Sequence, residues 1–245
     1  MSDQPEVGQA AVVFCGDRHD LIPGRPFTIG RDADLVVDDN PFLHRRLLSL
    51  EHSGGLWWLT NTGSRLSATV SDADSLVQSW LAPGAAVPLV LPHTVVLFTA
   101  GAMTNEVEIE VPPTWTPTGV ARDEAGSSTT LAPPVLTDSQ FLLILALAEP
   151  LLRQGGRGRT EIPSSAEAAK RLGWPLTRFN RKLDNVCQKL ARSGVRGLHG
   201  APGLLASGRR SRLVEYAVSS RLVTREKLYL LEGTSTSDDE AESAV

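Results

Sequence analysis

Two cysteines, Cys15 and Cys187, are all that 245 residues contain. They stand far apart, with no metal-ligand partner at useful spacing, so neither a disulfide framework nor a zinc site is indicated and both read as small core residues. Histidine is as sparse: His19, His44, His52, His93 and His199 are scattered without metal-ligand spacing. Also lacking are a GxSxG elbow, a glycine-rich phosphate loop ending in Gly-Lys-Ser/Thr, and HExxH. Gly155-Gly156-Arg157-Gly158 is too generic to stand in for them, and Asp32, Asp34, Asp38 and Asp39 lack calcium-loop spacing. The expectation is a protein that is not an enzyme and takes no cofactor. Long apolar runs are missing too. Phe141 to Ala148 is the longest, at eight residues, against about 20 for a membrane helix. The opening MSDQPEVGQA has no basic region followed by an apolar one. No membrane association and a cytoplasmic location are therefore expected.

What is present is a hydrophobic content of 41% and enough length for about two ordinary domains. The net charge of −4 hides an uneven distribution. Residues 1–135 carry 7 bases against 16 acids, residues 136–232 carry 17 against 8, and the stretch from Gly233 onward has no base and four acids, Asp238, Asp239, Glu240 and Glu242. A basic block between acidic ones reads either as a nucleic-acid surface or as an ordinary solvated face.

From Ala11 to Val111 short apolar runs are cut by Gly, Pro, Asp and Asn: Ala11 to Phe14, Leu56 to Thr60, Val87 to Leu91, Val95 to Thr99 and Val107 to Val111. The last of these alternates, with Val107, Ile109 and Val111 on one face and Glu108 and Glu110 on the other. This spacing predicts an all-β sandwich over residues 1–111. Residues 112–135, rich in Pro, Thr and Ser, read as a linker, 136–232 as a helical domain, and 233–245 as an acidic disordered tail.

Within the first domain, Phe27-Thr28-Ile29 runs into Gly30-Arg31, followed by an acidic loop, an apolar run Leu47 to Leu50, a Gly-Gly turn and the strand Leu56 to Thr60. That order resembles a forkhead-associated domain over roughly residues 10 to 112, in which a Gly-Arg, a Ser-Arg-x-His segment and a Gly-Ser-x-Asn loop gather around a phosphothreonine. Arg31, Arg45 and Ser64 fall where that pattern has Arg, Arg and Ser. His44 replaces its phosphate-binding Ser, Leu47 its His, and Leu66 the Asn that grips the peptide backbone. The resemblance implies an anion or protein-binding edge built from Arg31, His44, Arg45, Ser64 and Arg65. The two leucines imply weak or absent phosphothreonine recognition. A cationic His44 would make anion binding fade as pH rises through about 6 to 7.

From Leu136 the apolar period becomes helical. Thr137-Asp138-Ser139-Gln140 has capping-box spacing and opens a helix that Pro150 ends or kinks within a turn, and Ser164-Ser165-Ala166-Glu167 is a second capping box. Gly173-Trp174-Pro175 follows, then a helix from about Leu176 to Arg192 with Gly194 as its stop. Its Phe179, Leu183, Val186, Cys187 and Leu190 face a core. Arg178, Arg181, Lys182, Asn185, Lys189 and Arg192 take the other side, suited to base edges and phosphates. Val195 to His199 and Leu213 to Ser219 read as a hairpin with Arg209, Arg210 and Arg212 at its tip, an order that resembles a winged helix-turn-helix. Thr224 caps a last short helix reaching Leu231. The combined expectation is a cytoplasmic regulator that binds DNA through the second domain and a protein partner, phosphorylated on Thr or not, through the first. The alternative is a signalling adaptor in a Ser/Thr kinase pathway whose helical domain binds protein.

Overall fold

The computed structural model of the chain describes residues 9–73, 77–113, 136–154, 158–198 and 206–232. Most of the linker and the whole acidic tail expected from the sequence lie outside the described residues. The chain divides into two compact units: Met1–Ala100, Asn105–Ala132 and Arg157–Arg159 in one, and Gly101–Thr104, Pro133–Gly156 and Thr160–Val245 in the other.

The first unit is a sandwich of two sheets. Its strands are β1 (Ala11–Phe14), β2 (Asp17–Asp20), β3 (Phe27–Gly30), β4 (Leu35–Val36), β5 (Leu48–Ser53), β6 (Leu56–Asn61), β7 (Ala68–Asp72), β8 (Gln78–Leu81), β9 (Ala86–Leu89), β10 (His93–Ala100) and β11 (Met103–Glu110). One sheet runs β2-β1-β11-β10-β7-β8, and the strand Gly158–Glu161 (β12) also pairs with β11; the other runs β4-β3-β5-β6-β9. Alternation decides the packing. On β6 the side chains of Trp57, Leu59 and Asn61 are buried while Leu56, Trp58 and Thr60 are half-buried, as the period of two requires. On β11 the expected face of Val107 and Ile109 is fully buried, and Val111 continues it. Together with Ile29, Leu48, Leu50, Val96 and Phe98 they form one core between the sheets.

The second unit is mainly helical: α1 (Asp138–Gln154), α2 (Ser165–Arg171), α3 (Leu176–Arg192), α4 (Ala206–Ser219) and a closing 3₁₀ turn over Arg225–Leu231. Leu143 to Ala148 are consecutively buried, so α1 is the central helix, apolar all round. Thr137 N–H donates to the Gln140 side chain at 3.1 Å, and Gln140 N–H donates back to the Thr137 hydroxyl at 3.4 Å, fixing where α1 begins. Ser164 and Glu167 close the second box in the same way. Pro150 lies inside α1, one turn before its end.

The expected wing is not formed. Val195 to Leu198 make a turn, His199 lies outside the described residues, and Leu213 to Ser219 belong to α4. Leu213, Val214 and Ala217 are all fully buried, a spacing of one and four that suits a helix face. The segment reads as a strand because it is short and holds the β-compatible Val214, Tyr216 and Val218. Glu215 is itself buried, beside Arg212. Among the described residues the second unit is therefore mainly α, without the basic hairpin.

Candidate functional site

Backbone ladders at the end of β3 assemble the loops. Arg31 N–H donates to the His44 carbonyl at 3.0 Å, Asp32 N–H to the Arg45 carbonyl at 2.9 Å, and Leu47 N–H to the Ile29 carbonyl at 2.8 Å. Residues 44–46 thus run beside 30–32 and extend the pairing of β3 with β5. Gly30 permits this approach, because a Cβ there would stand 2.2 Å from the Arg45 carbonyl oxygen. On the other side Thr62 and Gly63 N–H groups both donate to the Leu47 carbonyl, at 2.8 and 3.2 Å, and the Thr62 hydroxyl donates to the Arg46 carbonyl at 3.2 Å. Ser64 N–H donates to His44 Nε2 at 3.0 Å, with Ser64 Oγ 3.3 Å from the same nitrogen. Arg31, His44, Arg45 and Ser64 are brought to one end of the sandwich, and Arg65 follows directly.

The hub of this arrangement is Asn61, which the sequence reading passed over. Fully buried at the end of β6, it donates to the carbonyls of Leu66 at 2.8 Å and Leu81 at 3.1 Å and accepts from Gly63 N–H at 3.0 Å. A polar residue continuing the Trp57, Leu59 inward face was the available signal. Such a residue must find partners in the core, and here they are the backbone of the loop that carries Ser64 and Arg65.

Electrostatically the cluster is one-sided. Arg31, Arg45 and Arg65 form no ion pair among the described residues, and Arg31 Nε is buried without a hydrogen-bond partner there. His44 is not a fourth cation. Its Nε2 accepts from Ser64, and burial, followed by the nearby Arg65 charge, pushes its pKa below the ordinary value. The expected loss of anion binding between pH 6 and 7 through His44 therefore has no basis in this geometry. Leu47 is fully buried and Leu66 half-buried against the core, so neither supplies polar groups.

The acidic loop is structural. Asp34 accepts from the Thr28 hydroxyl at 2.6 Å and the Thr28 N–H at 2.9 Å; these bonds, with lesser help from Arg25, hold its carboxyl below its usual range. Asp38 is buried, accepting from Asn40 N–H at 3.0 Å and from Arg159 at 2.9 Å. No group of three or more His, Cys, Asp or Glu able to hold a metal ion occurs among the described residues.

In the second unit α3 divides as its pattern implies. Phe179, Leu183, Val186, Cys187 and Leu190 are buried, and burial pushes the Cys187 thiol up to about 11, leaving it unreactive. Arg178, Arg181, Asn185 and Arg192 are exposed, with Lys182 and Lys189 half-buried. The Arg178 guanidinium lies 4.6 Å over the Trp174 ring, and Lys182 Nζ is 2.8 Å from the Ser139 hydroxyl. Thr177, Arg178, Arg181, Lys182 and Asn185 line a concave surface. The three arginines expected at a wing tip do not join them. Arg209 is paired with Asp184 of α3 at 3.0 Å, Arg210 is half-buried with one nitrogen 3.3 Å from the Ser165 hydroxyl, and Arg212 is buried, donating to the Arg196 carbonyl at 3.0 Å. A helix turns them toward its neighbours, whereas a hairpin tip would have presented them to solvent.

No protein-family model matches the chain, and no curated protein matches it. Among solved structures, the chain is similar to a forkhead-associated domain of Mycobacterium tuberculosis Rv1747, with 20% identity, 43% of this chain and 97% of that one covered, and a TM-score of 0.33. It is also similar to a forkhead-associated domain of an Arabidopsis thaliana protein, at 20% identity over 46% and 92% of the two chains and a TM-score of 0.32. A third is the forkhead-associated domain of human APLF, in complex with an XRCC1 bisphospho peptide, at 22% identity over 36% and 86% and a TM-score of 0.31.

Proposed function

We propose that the chain is a regulatory binding protein whose sandwich acts as a forkhead-associated-like module, taking a phosphorylated segment of a protein partner at the end formed by Arg31, His44, Arg45, Ser64 and Arg65. The observation that carries this reading is that the backbone pairing of 30–32 with 44–46 and the Ser64–His44 contact bring the loops of three arginines and a Ser to one end of the sandwich, with no carboxylate paired to those arginines among the described residues. Guanidinium is suited to bidentate contact with phosphate oxygens, and the Ser64 hydroxyl adds a donor. What is lacking is a grip on the peptide backbone, since Leu66 offers no amide. The module therefore recognises charge more than sequence, with weak, salt-sensitive affinity. Calorimetry of the full chain against a phosphothreonine peptide library and its unphosphorylated counterparts tests this. Binding confined to phosphorylated peptides and lost on Arg31→Ala supports the reading; equal binding of both libraries, or none at low salt, overturns it.

A second reading, DNA binding by the helical unit, is favoured by one observation: α2, the Gly173 turn and α3 keep the helix-turn-helix order while Arg178, Arg181 and Asn185 stay exposed. Without a wing this reading depends on α3 alone. A salt titration with generic duplex checks it, because phosphate contacts give a steep negative slope. Absence of binding at low salt refutes it.

A further inference from the structure

We infer that the acidic segment Asp238 to Glu242 of this chain docks on the exposed face of α3, so that the two charge blocks of the second unit satisfy each other. The surface comes first. Arg178, Arg181 and Arg192 of α3 have no ion-pair partner among the described residues, and the single acid of that helix, Asp184, is already held by Arg209. Arg178 is stacked on Trp174, and Lys182 is tied to Ser139. Two of the cations beside the concave surface are thus held in place before any ligand arrives, which lowers the ordering cost of binding.

The occupant follows from charge and reach. Asp238, Asp239, Glu240 and Glu242 are four acids within five residues, with no base from Gly233 onward. Glu232, the last described residue before them, has its carboxylate 3.9 Å from Arg153 near the end of α1, while Lys182 meets Ser139 near the start of that helix. At 1.5 Å per residue, the path along α1 from Arg153 back to Ser139 is roughly 21 Å. An extended chain spans about 3.3 Å per residue, so the greatest reach from Glu232 is about 20 Å for Asp238 and about 33 Å for Glu242. Asp239, Glu240 and Glu242 therefore come within reach of the α3 face, with Asp238 at the limit. Tethering also makes the contact intramolecular, with an effective concentration in the millimolar range for a short connection, so individually weak exposed ion pairs suffice to populate it at low salt. The bound segment covers the same guanidiniums that a nucleic acid or an acidic partner would use. The docking itself depends on neither reading proposed above.

The test uses the full chain carrying Cys15→Ser and Ser243→Cys, with a nitroxide at position 243; Cys187 is buried and does not compete for the label. Backbone amide intensities are compared with the label oxidised and reduced, at about 20 mM and about 500 mM salt, where the Debye length falls several-fold. The expected result is intensity loss concentrated on residues 177–189 at low salt, recovered at high salt and absent when Asp238, Asp239, Glu240 and Glu242 are changed to their amides. Losses on α3 that persist in the amide variant, no loss on α3, or losses centred on residues 30–32, 44–46 and 63–66 instead, overturn the inference.

Discussion

Replacing Asn61 with Ala tests whether one buried amide organises the loop end of the sandwich. The side chain makes three hydrogen bonds at 2.8, 3.1 and 3.0 Å, all to backbone groups, and is fully buried. Gly63 N–H keeps a second acceptor in the Leu47 carbonyl, so its loss is small. The Leu66 and Leu81 carbonyls lose a buried donor each, at about 1 to 2 kcal/mol apiece. The sum is about 3 kcal/mol, which for a unit of roughly 100 residues corresponds to a fall in melting temperature on the order of 10–20 °C. Asn61→Asp is the sharper variant. It keeps the acceptor for Gly63 N–H but sets a carboxylate oxygen against two carbonyls in the core, so it destabilises more than Ala despite its closer shape. The assay is denaturant unfolding followed by the fluorescence of Trp57 and Trp58, with amide exchange read at residues 62–66. An Asp variant as stable as wild type, or an Ala variant within about 0.5 kcal/mol of it, would refute the assigned role, since that is the range of ordinary surface substitutions.

Three further outcomes follow from the same geometry. Because the folded pKa of His44 lies below its unfolded value of about 6.5, the stability this group contributes is present above that pH and is lost as pH falls through the folded value; a C2 proton titration of His44 with a midpoint at or above 6.5 would contradict this. Gly30→Ala drives a Cβ into the Arg45 carbonyl and should cost about 3 kcal/mol or more, together with anion binding; a variant of wild-type melting temperature and affinity counts against the close approach. Arg159→Ala leaves the Asp38 carboxylate buried with only the Asn40 N–H. Since Arg159 is 43% exposed, the loss should be about 2 kcal/mol, below the full cost of breaking a buried pair, and adding Asp38→Asn should recover part of it. No recovery in the double variant would show that the pair is not what Arg159 contributes.

Legibility of this chain depended on how far each signal reaches in sequence. Strands with apolar alternation were readable: the run Ala11 to Phe14 coincides with β1, and Val107 to Val111 gave the buried face of β11. β2, as Asp-Arg-His-Asp, and β7, as Ala-Thr-Val-Ser-Asp, were not, because one is polar throughout and the other is buried on both faces. Capping boxes were readable because they close within four residues. The α4 segment was misread because Leu213 to Ser219 is short and carries the β-compatible Val214, Tyr216 and Val218, while its packing on α1, a long-range fact, decides for helix. At the candidate site the charges Arg31, Arg45 and Arg65 were legible. The lowered pKa of His44 was not, since it arises from burial beneath loops that meet only in the fold and then from the charge of Arg65, while Ser64, twenty residues away, folds back to donate to the ring. Asn61 was hidden for the same reason: its partners at Leu66 and Leu81 are neighbours only once the sheets have formed.

The central claim is that the sandwich presents an anion-reading protein-interaction site at the loops of Arg31, Arg45 and Ser64. Amide-shift mapping of the full chain, titrated with a phosphothreonine peptide pool and separately with the same peptides unphosphorylated, examines it residue by residue. The account predicts shifts at 30–32, 44–46 and 63–66 with the phosphorylated pool alone, weakening as salt is raised and abolished by Arg31→Ala. Shifts of equal size with both pools, or shifts confined to α3 with those loops silent, would contradict it.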